Sequence, residues 1–278
     1  MMIGKTRQAA SPACGVLWPM PLERFHHARL LPCEALAEWV EHYWFVSWDL
    51  RGLPPQEQHT LPHPSVHWVI EPAQASIAGV HTGRFTRLLD DASWVFGIKF
   101  KPGGFQPFLG RPVSDLQDRT IDAAEVFGAA GKALEAEVRG CADEHAMADA
   151  AERFLLAHRP APDPLARRAS ELVARIAQDR ELTRAEQLAD REALPLRQLQ
   201  RLFREHVGVG PKWVIQRYRL HEAVERLKTG EQVDWADFAQ TLGYFDQAHF
   251  IAAFRKLVRC TPATYRRLLS GAEEAGSV

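Results

Sequence analysis

The chain has 278 residues, 46% of them hydrophobic, and its 34 lysines and arginines nearly balance 35 aspartates and glutamates for a net charge of −1. That composition can bury one large core or two ordinary ones, and the length sets two domains as the prior. Four cysteines far apart (Cys14, Cys33, Cys141, Cys260) exclude a zinc ribbon or a C-x-x-C redox motif. No stretch approaches the ~18 apolar residues that a membrane span needs. Lys5, Arg7 and several prolines interrupt the first 25 residues, so no secretory leader is expected and the location expected is cytoplasmic.

The neutral total hides a split. Residues 165–270 hold 19 basic and 13 acidic residues, a net +6, whereas the remainder holds 15 and 22, a net −7. Such asymmetry suits a C-terminal part that meets a polyanion, or merely a solvated basic face.

In chain order, residues 1 to about 20 are weakly patterned and expected to be irregular. The runs YWFVSW, VHWVIE and WVFGIKF are short, aromatic and β-branched. GLPP, LPHP, EPAQ, HTGR and KPGG bound them. This is strand-and-turn grammar, and it predicts a small sheet or barrel-like unit. After PGGFQPFLGRP the text changes. IDAAEVFGAAGKALEAEV and EHAMADAAERFLLAH are rich in Ala, Leu and Glu and read as helices. RPAPDP, residues 159–164, is a Pro-rich linker candidate. The expected division is therefore 1–158, a linker at 159–164, a helical domain at 165–270 and a tail at 271–278.

Two matched units occupy that helical domain. In the first, Thr183 is placed to cap a helix, with Glu186 three residues on as in a capping box. That helix should end near Arg191, and a turn follows at residues 192–195. The next helix carries Leu196, Leu199, Leu202, Phe203 and Val207 on one face and Arg197, Gln200, Arg201 and Arg204 on another. A short helix, a tight turn and a second helix with a basic, amide-rich outer face form a helix-turn-helix. Its second helix lies in the major groove and presents its N-terminal half to base edges.

The grammar returns about 50 residues later. Asp234 caps a helix, Gly243 supplies a turn, and Asp246 caps a second helix through QAHFIAAFRKLV. Ala189 pairs with Ala239 and Ala193 with Gly243, while beyond the turn the offset grows by one, as for Phe203 with Phe254. Between the units, a long helix opens at Pro211 and is expected to end at Gly230. Two such units on one connecting helix would reach successive major-groove segments about one turn of DNA apart. Leu199, Leu202, Phe203, Phe250 and Phe254 are expected in the core, and Trp213 and Tyr218 are expected to pack rather than stack on bases.

QLQRLFREHVGVGP and FAQTLGYFDQAHFIAAFRKLVRCTPATYRR carry a family resemblance. Residues 170–270 resemble the DNA-binding domain of AraC/XylS transcription regulators, through the A-x-x-x-G turn, the Asp246 cap, the His249–Phe250 pair and TPATYRR. The resemblance implies that Arg197, Gln200 and Arg201, and in the second unit Gln247, Ala248, Ile251 and Ala252, face bases. Side-chain chemistry agrees for the first group: Arg forks onto guanine and Gln onto adenine. Ala248, Ile251 and Ala252 offer apolar contact only, for example to a thymine methyl. Arg204, His249, Arg255, Lys256 and Arg259 are then expected on phosphates. Two positions depart from the family pattern. Ala193 stands where glycine is usual, at a cost of about 1 kcal/mol in a left-handed turn. Pro195 stands where a serine often caps, and is read as the first helical residue.

The N-terminal half says less. LLPCEALAEWVEHYWFVSW, LPHPSVHWVIE and VFGIKFKPGGF resemble the uncharacterised domain that precedes this module in one group of AraC-type regulators. In the wider family such domains are cupin-like sensors that bind an effector or dimerise. His59, His63 and His67 lie four apart, but Pro62 and Pro64 break any regular element between them and no acidic ligand stands at fitting spacing. No metal and no cofactor are expected. KPGGF reads as a tight loop, with anion contact as the alternative.

The expected fold is α+β in two domains: a β-rich N-terminal part, cupin-like or a small barrel, with helices, then an all-α double helix-turn-helix. The expected function is a one-component regulator of transcription, not an enzyme. Its partners would be double-stranded promoter DNA and RNA polymerase, with a small-molecule effector and a homodimer left open. Two alternatives stand beside it: an enzyme with a reactive cysteine fused to a DNA-binding module, as in DNA-repair methyltransferases, or a regulator without ligand, set by its abundance or a protein partner.

Overall fold

The computed structural model of the chain describes residues 7–8, 17, 24–229 and 234–275. The N-terminal half holds β1 (Arg7–Gln8), β2 (Phe25–Leu31), β3 (Val40–Asp49), β4 (Gln56–Thr60), β5 (His67–Ile70), β6 (Ala75–Ala78), β7 (Phe85–Leu89), β8 (Ala92–Phe100) and β9 (Thr120–Ile121). Seven of these strands form an antiparallel sheet in the order β1-β2-β3-β8-β5-β6-β9, and β4 pairs with β7 in a separate ribbon. The three aromatic runs of the sequence are β3, β5 and β8, side by side at the centre.

Period-two alternation decides the two faces of the sheet. Tyr43, Trp68, Phe96 and Ile98 point one way and are buried. They meet α2 (Ala124–Arg139) and α3 (Glu144–Ala157), the two Ala-rich helices read from the sequence. Trp68 stacks on Phe127 with centroids 5.0 Å apart and meets Phe154 edge-on at 5.6 Å. A short α1 (Gln106–Leu109) brings Phe108 into the same aromatic cluster.

The C-terminal half is helical: α4 (Pro164–Gln178), α5 (Ala185–Arg191), α6 (Leu196–Leu202), α7 (Pro211–Lys228), α8 (Trp235–Thr241), α9 (Gln247–Val258) and α10 (Pro262–Ala275). One π-helical turn, Phe203–Val207, extends α6. The α7 helix ends at Lys228 with Thr229 as its cap, so the stop expected at Gly230 lies outside the described residues.

Two local expectations are corrected. The α5 helix begins at Ala185 with Arg184, not Thr183, as its N-cap, so Gln187 and not Glu186 is its third residue. Gln187 Oε1 accepts from the backbone amides of Thr183 and Arg184, both at 2.9 Å, and from the Thr183 hydroxyl at 3.2 Å. Pro195 is the N-cap of α6 rather than its first helical residue, with φ −56° and ψ 132°. Its carbonyl takes the first amides, those of Gln198 and Leu199.

The two halves share cores. Val80 of the N-terminal half packs with Leu172, Ile176, Leu188, Leu199 and Phe203. Leu17 and Leu61 pack with Leu227, Phe238, Phe250, Phe254 and Tyr265 around the second unit. The Tyr265 hydroxyl donates to the Leu17 carbonyl. KPGGF is part of this junction and not a free loop. A Cβ at Gly103, whose φ is +88°, would stand 2.6 Å from the Ala166 carbonyl of α4, and one at Gly104 would stand 2.3 Å from the Trp39 carbonyl. Only glycine admits so close a backbone approach.

Candidate nucleic-acid interface

In the first unit, the chain after α5 reverses at Ala193 in the left-handed region, with φ 49°. The side chain of Glu192, just before it, is buried and ion-paired to Arg168 and Arg175 of α4, which fastens the turn to the domain core. The Leu194 amide donates to the Ala189 carbonyl at 2.9 Å. The second unit repeats this bond: the Tyr244 amide donates to Ala239 at 3.0 Å, after Gly243 at φ 76°. Asp234 accepts from the amides of Ala236 and Asp237, and Asp246 from that of His249 at 2.7 Å, so both expected caps are formed.

These turns set two exposed helices. On α6, Leu199 and Leu202 are buried while Arg197, Gln200 and Arg201 are exposed, as is Arg204 in the π turn. On α9, Phe250, Phe254 and Val258 are buried while Gln247, Ala248, His249, Ala252, Arg255 and Lys256 are exposed. Ala248, Ile251, Ala252, Arg255, Lys256 and Arg259 line one shallow depression, so the structure brings six of the sequence-predicted residues together. Ile251 is only half-exposed, because its inner side packs against the core of the unit. His249 sets its ring edge-on to Tyr244 at 5.4 Å. Arg259 caps α9 in a left-handed conformation, φ 70°.

Charge pairing separates two classes of arginine. Arg191 is paired to Asp179, and Arg180 and Arg219 reach Glu222 at 3.2 and 2.7 Å. By contrast, among the described residues Arg197, Arg201, Arg204, Arg255, Lys256 and Arg259 make no ion pair. Six unpaired cations on the outer faces of two helices are a favourable arrangement for a polyanion.

The sequence reading missed the buried cations of α7. The Arg217 guanidinium donates to the Thr82 carbonyl at 2.6 Å and lies 4.5 Å over the Trp213 ring. Burial pushes its pKa down to about 10. Arg219 donates to the carbonyls of Ile176 and Asp179 at 2.6 and 3.0 Å. These residues count toward the basic excess of the domain without facing solvent. The signal was available, since an Arg-x-Arg pair on a helix buried on several sides needs fixed acceptors.

The three spaced histidines go to separate places. His59 on β4 meets the Thr86 hydroxyl at 3.1 Å, His63 stacks on His221, and His67 accepts from the Trp44 indole at 3.3 Å. Among the described residues no group of three His, Cys, Asp or Glu side chains gathers as a metal site. Burial, with Glu152 beside it, pushes the Cys33 thiol up, and burial with Glu137 does the same to Cys141. No described helix is long and apolar enough to cross a membrane.

Residues 188–268 match the family model of a helix-turn-helix domain, and residues 28–122 match that of a domain of unknown function (DUF6597). The transcriptional activator RhaS of Pectobacterium carotovorum is 37% identical over 87 residues, 31% of this chain and 31% of that protein. An uncharacterized helix-turn-helix transcriptional regulator of Haemophilus influenzae is 30% identical over 99 residues, 36% of this chain and 33% of that protein. The match thus spans about a third of the length of these relatives. Among solved structures, ToxT of Vibrio cholerae with a bound unsaturated fatty acid aligns at 13% identity and a TM-score of 0.38, covering 89% of this chain and 93% of that one. The C-terminal domain of AraT of Geobacillus stearothermophilus aligns at 25% identity and 0.32, covering 38% and 86%. With the paired turns, caps and exposed helices in place, residues 188–268 are an AraC-type helix-turn-helix domain.

Proposed function

We propose that the chain is a one-component, sequence-specific regulator of transcription, acting on promoter DNA in the cytoplasm and not an enzyme. The observation that carries this reading is the contrast between paired structural arginines and unpaired cations on α6 and α9. In it, Arg197, Gln200 and Arg201 bond base edges, and Gln247, Ala248, Ile251 and Ala252 touch bases with little hydrogen bonding. Arg204, His249, Arg255, Lys256 and Arg259 hold phosphates. An 18-residue α7 is about 27 Å long, which suits two units on one face of the duplex. RNA polymerase is the protein partner of this reading, and a homodimer is compatible with it. Residues 1–158 form the regulatory part, 159–164 the linker, 165–270 the DNA-binding part and 271–278 a tail.

How the N-terminal half takes up its signal has two readings. In the first it binds a small effector. The second, control by abundance or a protein partner, draws support from the core. Trp68, Phe100, Phe105, Phe108, Phe127 and Phe154 pack ring against ring there. The depression at Ala28, Tyr43, Trp44 and Phe96 has no room for a water-sized sphere, whereas usual ligand pockets hold ~300 Å³ or more. The enzyme alternative draws no support from Cys33 or Cys141, whose raised thiol pKa values oppose a nucleophile.

The test is selection of duplexes from a random pool by the purified full chain. Enrichment of one sequence, with affinity falling steeply as salt rises, is expected. Equal binding to every duplex would overturn sequence-specific reading.

A further inference from the structure

Phe245 is the single residue by which the second unit exceeds the first. The two turns share one bond, Leu194 to Ala189 and Tyr244 to Ala239, at an offset of 50. The caps that follow, Pro195 and Asp246, stand at an offset of 51. Phe245 lies between, with no counterpart. The first unit closes its turn without such a residue, so the turn itself does not need one.

Nor does the second unit's core use it. A residue just before an N-cap commonly packs on the fourth helical residue as a hydrophobic staple. Here that partner is Phe250, and Tyr244 takes the place at 5.3 Å. Phe245 is left 93% exposed, the most exposed large apolar side chain described.

Its position is at the N-terminal end of α9. From that end runs the stripe Ala248, Ile251, Ala252, apolar throughout and flanked by Arg255, Lys256 and Arg259. The flanking cations fit a polyanion, and an α-helix enters the major groove of DNA with its N-terminal residues toward the bases. The apolar group on the base edges of that groove is the thymine C5-methyl.

We infer that Phe245, with Ala248, Ile251 and Ala252, forms an apolar reader that selects thymine methyl groups in the second half-site, with Phe245 as its specificity-determining residue. This rests on the regulator reading above.

The test uses the full chain and a duplex that it has itself selected from a random pool. Each thymine is replaced singly by deoxyuridine, which removes one methyl group and leaves pairing intact. The wild-type chain should lose about 4-fold in affinity at one or two positions, the factor for returning one methyl to water. Phe245→Ala should bind the unmodified duplex more weakly and no longer respond to deoxyuridine at those positions. Phe245→Leu should keep part of the response. Lys256→Ala should weaken all duplexes alike and keep the full response. If Phe245→Ala binds unmodified and deoxyuridine duplexes as the wild type does, the inference is overturned, and Phe245 is then a surface for protein. If the pool yields no enriched sequence, the regulator reading falls and this inference with it.

Discussion

The imidazole rings of His63 and His221 stack across the boundary between the two halves, 4.2 Å apart at their centroids and 11° from parallel. His63 stands between β4 and β5, and His221 is buried on α7, the helix that joins the two helix-turn-helix units. The contact therefore ties the regulatory half to the element that spaces the DNA-reading helices.

Burial, then the Arg217 charge, pushes the His221 pKa down to about 3 from an ordinary value of 6.5. The folded state holds this ring neutral while the unfolded state takes up a proton below pH 6.5. Stability from this group is thus fully present above pH 6.5 and is lost as pH falls toward 3. The loss by pH 5 is about 2 kcal/mol. His221→Phe keeps a ring against His63 and removes the titration. Urea unfolding between pH 5 and 7.5 should show a flatter profile for the variant. An unchanged slope would assign the proton uptake to other buried histidines, such as His67.

Gly243 and Ala193 hold equivalent left-handed turns under different constraints. A Cβ at Gly243 would stand 2.3 Å from Thr183 Cβ, so the second turn is pressed against the entry to the first unit. Gly243→Ala combines backbone strain with overpacking and should cost about 2–4 kcal/mol. Ala193 is exposed at φ 49°, and Ala193→Gly should raise stability by about 0.5–1 kcal/mol through relief of strain. Thermal unfolding of the two variants decides whether the signs are opposite.

On a selected duplex, Arg197→Ala or Arg201→Ala should each cost about 1–3 kcal/mol and relax preference at one base pair. Arg204→Ala should weaken all sequences alike and lower the salt slope by about 1. Binding curves at three salt concentrations, on the selected duplex and on point variants, separate the two behaviours. A uniform loss for Arg197→Ala would move that residue to the phosphate group.

Leu61 belongs by sequence to the N-terminal half but is fully buried beside Leu17 in the core of the second unit. Leu61→Ala should cost about 2–4 kcal/mol. Its effect should appear as faster amide exchange in α8 to α10 as well as around β4. Exchange confined to the N-terminal half would show that the shared core does not couple the two.

The helix-turn-helix units were legible because their determinants are local. Asp234 and Asp246 cap amides two or three residues away, and Gly243 sets its turn by its own φ. The apolar faces of α6 and α9 follow from a 3.6-residue period. The first unit was read one residue out at both ends, at Gln187 and Pro195, since a cap depends on where the chain enters and a linear pattern does not show that. Of the N-terminal strands, β3, β5 and β8 were legible as strands, but not their order, which sets β8 between β3 and β5 through pairings of distant residues.

Sequence by itself determined the paired units, the caps of the second and the residue types on their outer faces, because periodicity and capping act within a few residues. Tertiary structure alone decided which arginines are spent on Glu192, Asp179, Glu222 and Thr82 and which stay free, since a charge is neutralised by whatever the fold brings beside it. It also made KPGGF and His63 parts of a junction, and sent His59 and His67 elsewhere. Backbone proximity such as Gly103 to Ala166, and ring stacking such as His63 on His221, join segments far apart in the chain.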